Sequence, residues 1–204
     1  MNLDLIDALF KINAIHLNFE NPYTWSSGIK SPIYCDNRKI ISYPKYRQLI
    51  TQKFQEIIIQ NNLEQDFIAG TATAGIPHAA WLAGTLNLPL LYVRAKAKEK
   101  KKKNQIEGDI SQGKSALLIE DLISTAGSSL NASFALREAG IKQSTILAIV
   151  TYSTKKSEIL LKENNLALYS LIDRKTILHY ISQQQAYSES DLQKLKDFFI
   201  QLDQ

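Results

Sequence analysis

The 204-residue chain has only one cysteine, Cys35, and no long apolar run. A single cysteine excludes an intrachain disulfide framework and is typical of a protein kept in a reducing cytosol. No apolar stretch approaches the ~20 residues that span a bilayer, and the N-terminal segment lacks the pattern of a signal peptide. We therefore expect a cytoplasmic protein without a membrane partner. Its three histidines, His16, His78 and His179, are not spaced as metal ligands, so we expect them to be structural or surface residues.

The net charge of +4 comes from one short segment. Residues 94–103 contain seven basic residues and one acidic residue, a net charge of +6, which leaves −2 for the rest of the chain. A nucleic-acid-binding protein usually spreads basic residues over a face of its fold, so we expect no nucleic-acid partner. The segment is also too polar to pack into a core, and we predict that residues 92–108 form a solvated, flexible loop.

Apolar periodicity predicts two N-terminal helices and then alternating strands and helices. We predict strands at residues 67–70, 90–93, 116–119, 146–151 and 167–171, and helices at residues 2–15, 44–61, 77–86, 128–139, 154–163, 175–182 and 189–202. Turn signals between residues 25 and 38 indicate short strands or a hairpin. The alternation is typical of an α/β fold with a mostly parallel central sheet flanked by helices, and the absence of a linker indicates a single domain over residues 1–204.

The most informative stretch is residues 115–129, with the sequence SALLIEDLISTAGSS. Its apolar residues predict a buried strand that ends in Glu120 and Asp121, followed by a loop of small hydroxylated residues and a helix from about Gly127. Backbone N–H groups of such a loop bind an anion, and the two acids suit sugar hydroxyls or a cation. The stretch lacks a Walker-type lysine and the GxGxxG spacing, which disfavours a nucleoside triphosphate or a dinucleotide. The pattern therefore favours a phosphosugar site.

This stretch resembles the phosphoribosyl diphosphate (PRPP) signature of the type I phosphoribosyltransferases. Three further segments are similar to the orotate phosphoribosyltransferases of that family: residues 21–38 (NPYTWSSGIKSPIYCDNR), 68–83 (IAGTATAGIPHAAWLA) and 92–108 (YVRAKAK…NQIEG). The resemblance implies the type I phosphoribosyltransferase fold, with a small hood formed by the N-terminal segment and with the C-terminal segment as a second candidate for it. It implies a base-binding hood at about residues 1–62, a PRPP-binding core at 63–170 and C-terminal helices at 171–204.

The resemblance also implies a set of PRPP ligands. The matching positions are Arg94, Lys98, Lys100, Glu120, Asp121, Leu122, Ile123, Ser124, Thr125, Ala126, Gly127 and Ser128. Arg94, Lys98 and Asp121 match residues that act in the reaction: the planar guanidinium of Arg94 would bind two diphosphate oxygens, and Lys98 would act as a point charge. In the family PRPP carries Mg²⁺, so we expect this cofactor near Asp121 and without a protein cage of its own.

A second turn of small residues, GTATAGIP, follows the first core strand. Its hydroxyl residues Thr71 and Thr73, together with Gly75, suit diphosphate oxygens. The same pattern is also typical of a simple turn with a helix cap, and the residues alone leave both interpretations open.

Two positions depart from the family's pattern. Many relatives have glycine where Ala126 stands, and since alanine disfavours a left-handed backbone we expect a negative φ there. Lys100 stands where related loops carry a histidine between two glycines. Lysine cannot exchange a proton near neutral pH as imidazole does, so we expect a slower reaction or a different pH dependence.

The base-binding residues implied by the resemblance are Ser124, Lys30 and Tyr34, with Cys35 beside the base. Lys30 is expected to approach the orotate carboxylate. Some relatives use lysines where this chain has Ser26 and Ala74, and others use an arginine in the region of residues 151–152. The partner of the carboxylate therefore stays open.

The activity implied by the resemblance is transfer of the 5-phosphoribosyl group from PRPP to orotate, which yields orotidine 5′-monophosphate and diphosphate in pyrimidine (UMP) biosynthesis. The family's members are homodimers in which a loop matching residues 94–108 reaches the neighbouring site. Two alternatives stay open: a type I phosphoribosyltransferase for another base, and a catalytically weak PRPP-binding regulator that contacts nucleic acid through residues 96–103. The segment 21–38 argues against the first, and the net acidic remainder of the chain argues against the second.

Overall fold

A six-stranded sheet forms the centre of the fold. The computed structural model describes residues 1–25, 28–96 and 105–204. In these residues the helices are α1 (Leu3–Lys11), α2 (Pro44–Gln60), α3 (Gly75–Leu86), α4 (Gly127–Glu138), α5 (Lys155–Glu163), α6 (Arg174–Ser182) and α7 (Glu189–Leu202), with 3-10 helices at Asn37–Ser42 and Ile110–Gln112. The strands are β1 (Ile15–Leu17), β2 (Tyr23–Thr24), β3 (Lys30–Ser31), β4 (Ile33–Cys35), β5 (Phe67–Thr71), β6 (Leu90–Val93), β7 (Ile106–Glu107), β8 (Ser115–Ile123), β9 (Lys142–Thr151) and β10 (Ala167–Ile172).

The central sheet has the strand order β10-β9-β8-β5-β6-β7. Its first five strands are parallel, and β7 pairs antiparallel with β6 at one edge. Every residue of β5 is buried, as expected for a parallel strand with helices on both faces. The predicted mostly parallel sheet is therefore confirmed, and the carboxyl ends of β5, β6, β8 and β9 meet along one edge, where α/β folds bind ligands.

Helices cover both faces of this sheet, and successive residues of a strand point to opposite faces. In β8, Leu117 packs into the apolar core formed with α1, α2, α3, α6 and α7, whereas Leu118 packs into the core formed with α4 and α5. Each face is apolar because the strands carry continuous apolar runs rather than an alternating pattern. The N-terminal helix α1 and the C-terminal helix α7 contribute to the same core.

The N-terminal region contains two small antiparallel sheets, β1 with β4 and β2 with β3. β3 and β4 lie between residues 25 and 38, where turn signals predict short strands or a hairpin, whereas β1 and β2 precede that range. The indole nitrogen of Trp25 donates to the carbonyl of Ile33 at 3.2 Å, which joins the two small sheets. No helix in the described ranges is long and apolar enough to cross a bilayer.

The predicted end of the third core strand is wrong. β8 continues to Ile123, so Glu120 and Asp121 lie inside the strand and not beyond its end. The strand continues because β9 still pairs with it beyond Ile119, with Glu120 opposite Ala148 and Ile123 opposite Thr151. The small-residue turn is correspondingly short and consists of residues 124–126.

Candidate active site

The turn between β8 and α4 lies at the carboxyl edge of the sheet and contains Ser124, Thr125 and Ala126. Ala126 has φ +64°, so the expected negative φ is wrong. The left-handed conformation costs roughly 1 kcal/mol for alanine. It is offset because the Ala126 methyl is buried in the apolar core, and its carbonyl accepts the first helical hydrogen bond, from Leu130 N–H at 2.9 Å. Gly127 then begins the helix, and no atom lies within 4 Å of the position that a Cβ on this residue would occupy.

Glu120 is buried, with only 4% of its surface exposed, and its carboxyl is fully engaged. The hydroxyls of Ser128 and Ser129 donate to its Oε2 at 3.0 and 3.1 Å, and the N–H of Asp121 donates to Oε1 at 3.2 Å. Burial, reinforced by the charge of Asp121, raises the pKa of Glu120 well above its ordinary range. Burial also raises the pKa of Asp121. Two neighbouring carboxyls, one buried and one partly buried, resist simultaneous ionisation, so the pair favours a cation or hydroxyl donors beside it.

Hydrogen bonds from two other elements fix this segment. The side-chain amide of Asn37, in the 3-10 helix after β4, donates to the Asp121 carbonyl at 2.7 Å. On the other side, the hydroxyl of Thr154 donates to the Ser124 carbonyl at 2.7 Å. The sequence analysis did not identify either residue, because each contacts a residue that is far away along the chain. The one sequence signal for Asn37 is its position inside the segment 21–38, which resembles the orotate phosphoribosyltransferases.

The second turn, between β5 and α3, lies on the same edge of the sheet. The hydroxyl of Thr71 is buried and has no hydrogen-bond partner among the described residues, whereas Thr73 is exposed. The peptide bond between Ala72 and Thr73 is cis. Gly75 is a packing residue, because a Cβ there would overlap the carbonyl oxygen of Ile119, which immediately precedes the acid pair.

Replacing Gly75 with alanine is expected to destabilise the protein by about 2 kcal/mol, because α3 would have to move away from β8. Gly84, in the same helix, provides the matched control, since nothing lies within 4 Å of a Cβ built there. Gly84→Ala should raise the free energy of unfolding by roughly 0.5–1 kcal/mol, because alanine loses less conformational entropy in a helix. Urea unfolding measures both variants, and a Gly75→Ala protein as stable as Gly84→Ala would contradict the packing role.

Arg94 follows β6 directly and therefore lies at the same sheet edge. Its guanidinium is 3.5 Å from the carboxylate of Glu107. The backbone N–H of Arg94 donates to the backbone carbonyl of Gln105 at 2.8 Å. The side-chain amide of Asn131, in α4, donates to the carbonyl of Ala95 at 3.2 Å, which connects this segment to the helix that follows the first turn. The other two predicted diphosphate ligands, Lys98 and Lys100, lie outside the described residues.

A cavity of about 430 Å³ opens beside the first turn. Six of the residues that line it are Trp25, Tyr34, Cys35, Ser124, Thr125 and Tyr152. Trp25 forms one wall: its indole stacks on the Tyr152 ring with centroids 5.4 Å apart and an angle of 8°. The cavity thus brings together Tyr34, Cys35 and Ser124, and its mixture of flat aromatic walls and hydroxyl groups suits a planar heterocycle. Lys30 is exposed on β3 and does not line it.

Other cavities lie away from the acid pair. One of about 460 Å³ is at the opposite, amino edge of the sheet, near Asp66 and Lys142, and a groove of about 660 Å³ separates α2 from α3. His78 is buried in α3, and burial lowers its pKa to about 4. Within residues 1–25, 28–96 and 105–204, no group of three His, Cys, Asp or Glu side chains is arranged to hold a metal ion.

Comparison with known proteins agrees with this geometry. Residues 39–175 match the family model of the phosphoribosyl transferase domain, and the chain is a phosphoribosyltransferase by fold and family. It is 47% identical to an orotate phosphoribosyltransferase of Listeria innocua over 192 residues, which cover 94% of this chain and 92% of that protein. The chain therefore belongs to the orotate phosphoribosyltransferases, a family of pentosyltransferases, as its sequence motifs predict.

Solved structures support the same fold. An orotate phosphoribosyltransferase of Aeropyrum pernix superimposes with a TM-score of 0.74 at 28% identity, covering 87% of this chain and 99% of that one. A UMP synthase of Leishmania donovani superimposes with a TM-score of 0.82 at 25% identity. That alignment covers 98% of this chain but 42% of the longer protein.

Proposed function

We propose that this protein transfers the 5-phosphoribosyl group from PRPP to orotate and releases orotidine 5′-monophosphate and diphosphate. The observation that carries the proposal is the adjacency of three features: the acid pair, the small-residue turn, and the aromatic cavity that shares Ser124 and Thr125 with that turn. A sugar phosphate on the turn would thereby place its anomeric carbon next to a base in the cavity. The reaction belongs to the pathway that forms UMP.

The turn is suited to the 5′-phosphate of PRPP. Backbone N–H groups of Ser124 to Ser128 and the first turn of α4 supply donors, and the open space at Gly127 allows close approach. Glu120 and Asp121 lie just before this turn, where the ribose hydroxyls of a PRPP bound through its 5′-phosphate would be. Ser128, which donates to Glu120 in this structure, supplies a hydroxyl at the junction of the two subsites.

Cationic and hydroxyl groups on the neighbouring strand ends suit the diphosphate. Arg94 and the turn that contains Thr71 and Thr73 lie on the same edge as the acid pair. Lys98 and Lys100 are proposed as further diphosphate ligands from the sequence alone. Positive charge at the leaving diphosphate stabilises the negative charge that develops as the bond to C1 breaks.

The acid pair fits a magnesium ion that is carried mainly by the substrate. Mg²⁺ prefers oxygen ligands and usually binds proteins through one or two carboxylates while phosphate oxygens and water fill its other positions. Asp121 offers one such carboxylate, whereas both oxygens of Glu120 already accept hydrogen bonds. Bound there, the ion would neutralise part of the diphosphate charge.

In the proposed reaction, N1 of orotate forms a bond to C1 of the ribose while the C1–O bond to diphosphate breaks. The electron pair of that bond leaves with diphosphate, which also takes up the N1 proton. The enzyme contributes position and charge, because the Trp25 indole on the cavity wall would set the plane of the base and the turn would hold the sugar. No covalent enzyme intermediate is required.

The proposal also includes a homodimer in which residues 94–108 reach the neighbouring site. It is supported by the family resemblance. A cytosolic location is supported by the single cysteine. Sedimentation of the purified protein tests the dimer.

One assay tests the activity. Purified protein with PRPP and Mg²⁺ is expected to deplete orotate and to form orotidine 5′-monophosphate, and to leave hypoxanthine, uracil and adenine unchanged. Asp121→Asn serves as the matched control and should lose most of the turnover. Turnover with one of the other bases would favour the first alternative enzyme, and salt-dependent nucleic-acid binding without any turnover would favour a regulator.

A further inference from the structure

Two separate parts of the chain form the 430 Å³ cavity beside the first turn. Tyr34 and Cys35 line it from β4 in the N-terminal region, whereas Leu122 and Ser124 line it from β8 and the turn that follows. In the proposed reaction the base lies against the first part while the sugar phosphate lies on the turn. The new bond between N1 and C1 therefore forms across the boundary between the two parts. An error of about 1 Å in such an alignment can cost about 100-fold in rate, so the contact that fixes this boundary affects the reaction.

A side-chain amide crosses this boundary. Asn37 begins the 3-10 helix after β4, and only 1% of its surface is exposed. Its Nδ2 donates to the backbone carbonyl of Asp121 in β8 at 2.7 Å. In the part of the chain that the structure describes, this is the one hydrogen bond between residues 15–43 and β8. Apolar packing, in which Ile40 and Ile119 share one core, also joins the two regions, but apolar contacts have no preferred direction.

The oxygen of the same amide is held from the cavity side. The thiol of Cys35 donates to Oδ1 of Asn37 at 3.3 Å. Burial raises the pKa of this thiol well above its ordinary value, so it keeps its proton and can donate at neutral pH. An amide fits this place because it offers both an acceptor oxygen and N–H donors. Asn37 thus connects a wall of the cavity to the acid pair through two successive hydrogen bonds.

Both ends of this connection are held by other contacts. On the N-terminal side, the backbone N–H of Asp36 donates to the carbonyl of Ala14 at 2.7 Å, next to the pairing of β4 with β1. On the other side, Asp121 lies inside β8, between Glu120 and Leu122, which pair with β9. A contact between two elements that are themselves fixed transmits position, and such supporting contacts hold the groups of a site in productive geometry.

We propose that Asn37 is a positioning residue that holds the base cavity at the distance from the acid pair at which N1 of the base meets C1 of the ribose; this inference rests on the proposed function. Asn37 does not line the cavity, so its removal leaves the groups that line the cavity and the turn in the chain. The two substrates would still bind, but they would be displaced relative to each other. The expected consequence is a lower kcat with little change in either KM.

Misalignment of the two substrates also has a chemical signature. If N1 is displaced, a water molecule can react at C1 in its place. The water oxygen forms a bond to C1, the electron pair of the C1–O bond leaves with diphosphate, and one proton of the water passes to that diphosphate. The products are ribose 5-phosphate and diphosphate, without a nucleotide. The ratio of diphosphate released to nucleotide formed therefore measures the alignment, and a loss of stability alone does not change it.

The test compares two buried amides, each of which donates to a backbone carbonyl. Asn37→Leu is expected to lower kcat about 30-fold, to change both KM values less than about twofold, and to raise the ratio of diphosphate to nucleotide above one. Asn37→Ser leaves room for a water molecule on the Asp121 carbonyl, so it should give the same kinetic changes with a smaller fall in Tm.

Gln143→Leu is the matched control. Gln143 is 2% exposed, and its amide donates to the carbonyl of Thr145 at 2.8 Å near the amino end of β9, at the opposite edge of the sheet. This variant should lower the Tm and leave kcat and the product ratio unchanged.

The outcomes separate the inference from the function on which it rests. A lower kcat and a raised product ratio in Asn37→Ser, with both KM values kept, support the inference. An Asn37→Ser protein with unchanged kcat overturns it, whatever the Tm, and so does a lower kcat with the product ratio still at one, which would indicate a structural role. If the unmodified protein forms no nucleotide from orotate and PRPP, the proposed function fails and this inference with it.

Discussion

Glu120→Gln is expected to lower kcat about 100-fold and at the same time to stabilise the unliganded protein above neutral pH. Glutamine keeps a carbonyl oxygen for the hydroxyls of Ser128 and Ser129, and its amide can donate to the carboxylate of Asp121. It also removes the ability of this side chain to ionise when a cation binds beside the acid pair. Steady-state kinetics measures the loss of rate, and thermal unfolding at two pH values measures the gain in stability.

The direction of the pH effect follows from the raised pKa of Glu120. In the folded protein the carboxyl keeps its proton at pH values where the unfolded chain has already lost it. Its contribution to the free energy of unfolding is therefore complete below the ordinary pKa of the unfolded chain and is lost as the pH rises through the raised pKa. Asp121 has the same sign, because burial raises its pKa as well.

The unliganded protein should accordingly become less stable between about pH 4.5 and about pH 8, and Glu120→Gln should reduce this slope. Glu138→Gln is the control, because Glu138 is exposed at the far end of the same helix α4. It should alter neither the slope nor the rate. A Glu120→Gln protein that keeps the full pH slope would show that this carboxyl is ionised in the unliganded fold.

Local sequence patterns were sufficient for the parts of the site that depend on neighbours along the chain. The apolar run before Glu120 and Asp121, and the small residues after them, predicted the buried strand that carries the acid pair and the short turn before the helix. The residues that form these features are close together in the sequence, within about one turn or one strand. At such short range the spacing of the residues alone determines which groups lie together at the edge of the sheet. The helix at 189–202 was predicted with its observed bounds, and Ser188 and Asp191 form a capping box at its start.

Other parts of the site depend on contacts between distant segments and could not be predicted in this way. The amide of Asn37 reaches the Asp121 carbonyl across 84 residues of sequence, and the hydroxyl of Thr154 reaches Ser124 across 30 residues. The conformation of Ala126 was predicted wrongly because the local steric cost was considered without the burial of its methyl group in the core. Tyr152 was noted only as a departure from the arginine of other relatives, since its stacking on Trp25 is visible only in the folded chain.

Arg174→Ala is expected to destabilise the protein by about 3 kcal/mol, equivalent to a fall in Tm of about 8 °C. The guanidinium forms a bidentate ion pair with Asp203, at 2.6 and 2.9 Å, and donates to the carbonyls of Tyr152 and Ser153 at 2.7 and 2.5 Å. It also lies over the ring of Phe199 at 5.0 Å. Both charged side chains are mostly buried, at 16% and 29% exposure, so removing one of them leaves the other without a partner in a low-dielectric environment.

The variant should also impair binding of both substrates, because Arg174 fixes the loop that supports the site. Tyr152 in this loop lines the cavity, and Thr154 holds the carbonyl of Ser124 in the turn between β8 and α4. Loss of the guanidinium frees the loop at the Tyr152 and Ser153 carbonyls. KM is therefore expected to rise several-fold for orotate and for PRPP together.

A double-mutant cycle with Asp203→Asn separates the ion pair from the contacts to the loop. Asp203 also accepts a hydrogen bond from the N–H of Lys155 at 2.8 Å, and asparagine can keep that contact through its carbonyl oxygen. Unfolding of the single and double variants should give a coupling energy of at least about 1 kcal/mol, because the two side chains are in direct contact. The hydrogen bonds from Arg174 hold the pKa of Asp203 below its ordinary value, so the coupling should be present at neutral pH and be lost as the pH falls through that lowered pKa. Additive effects at neutral pH would show that Arg174 stabilises the fold through the loop carbonyls alone, and an Arg174→Ala protein with unchanged Tm and unchanged KM values would show that the loop holds its position without it.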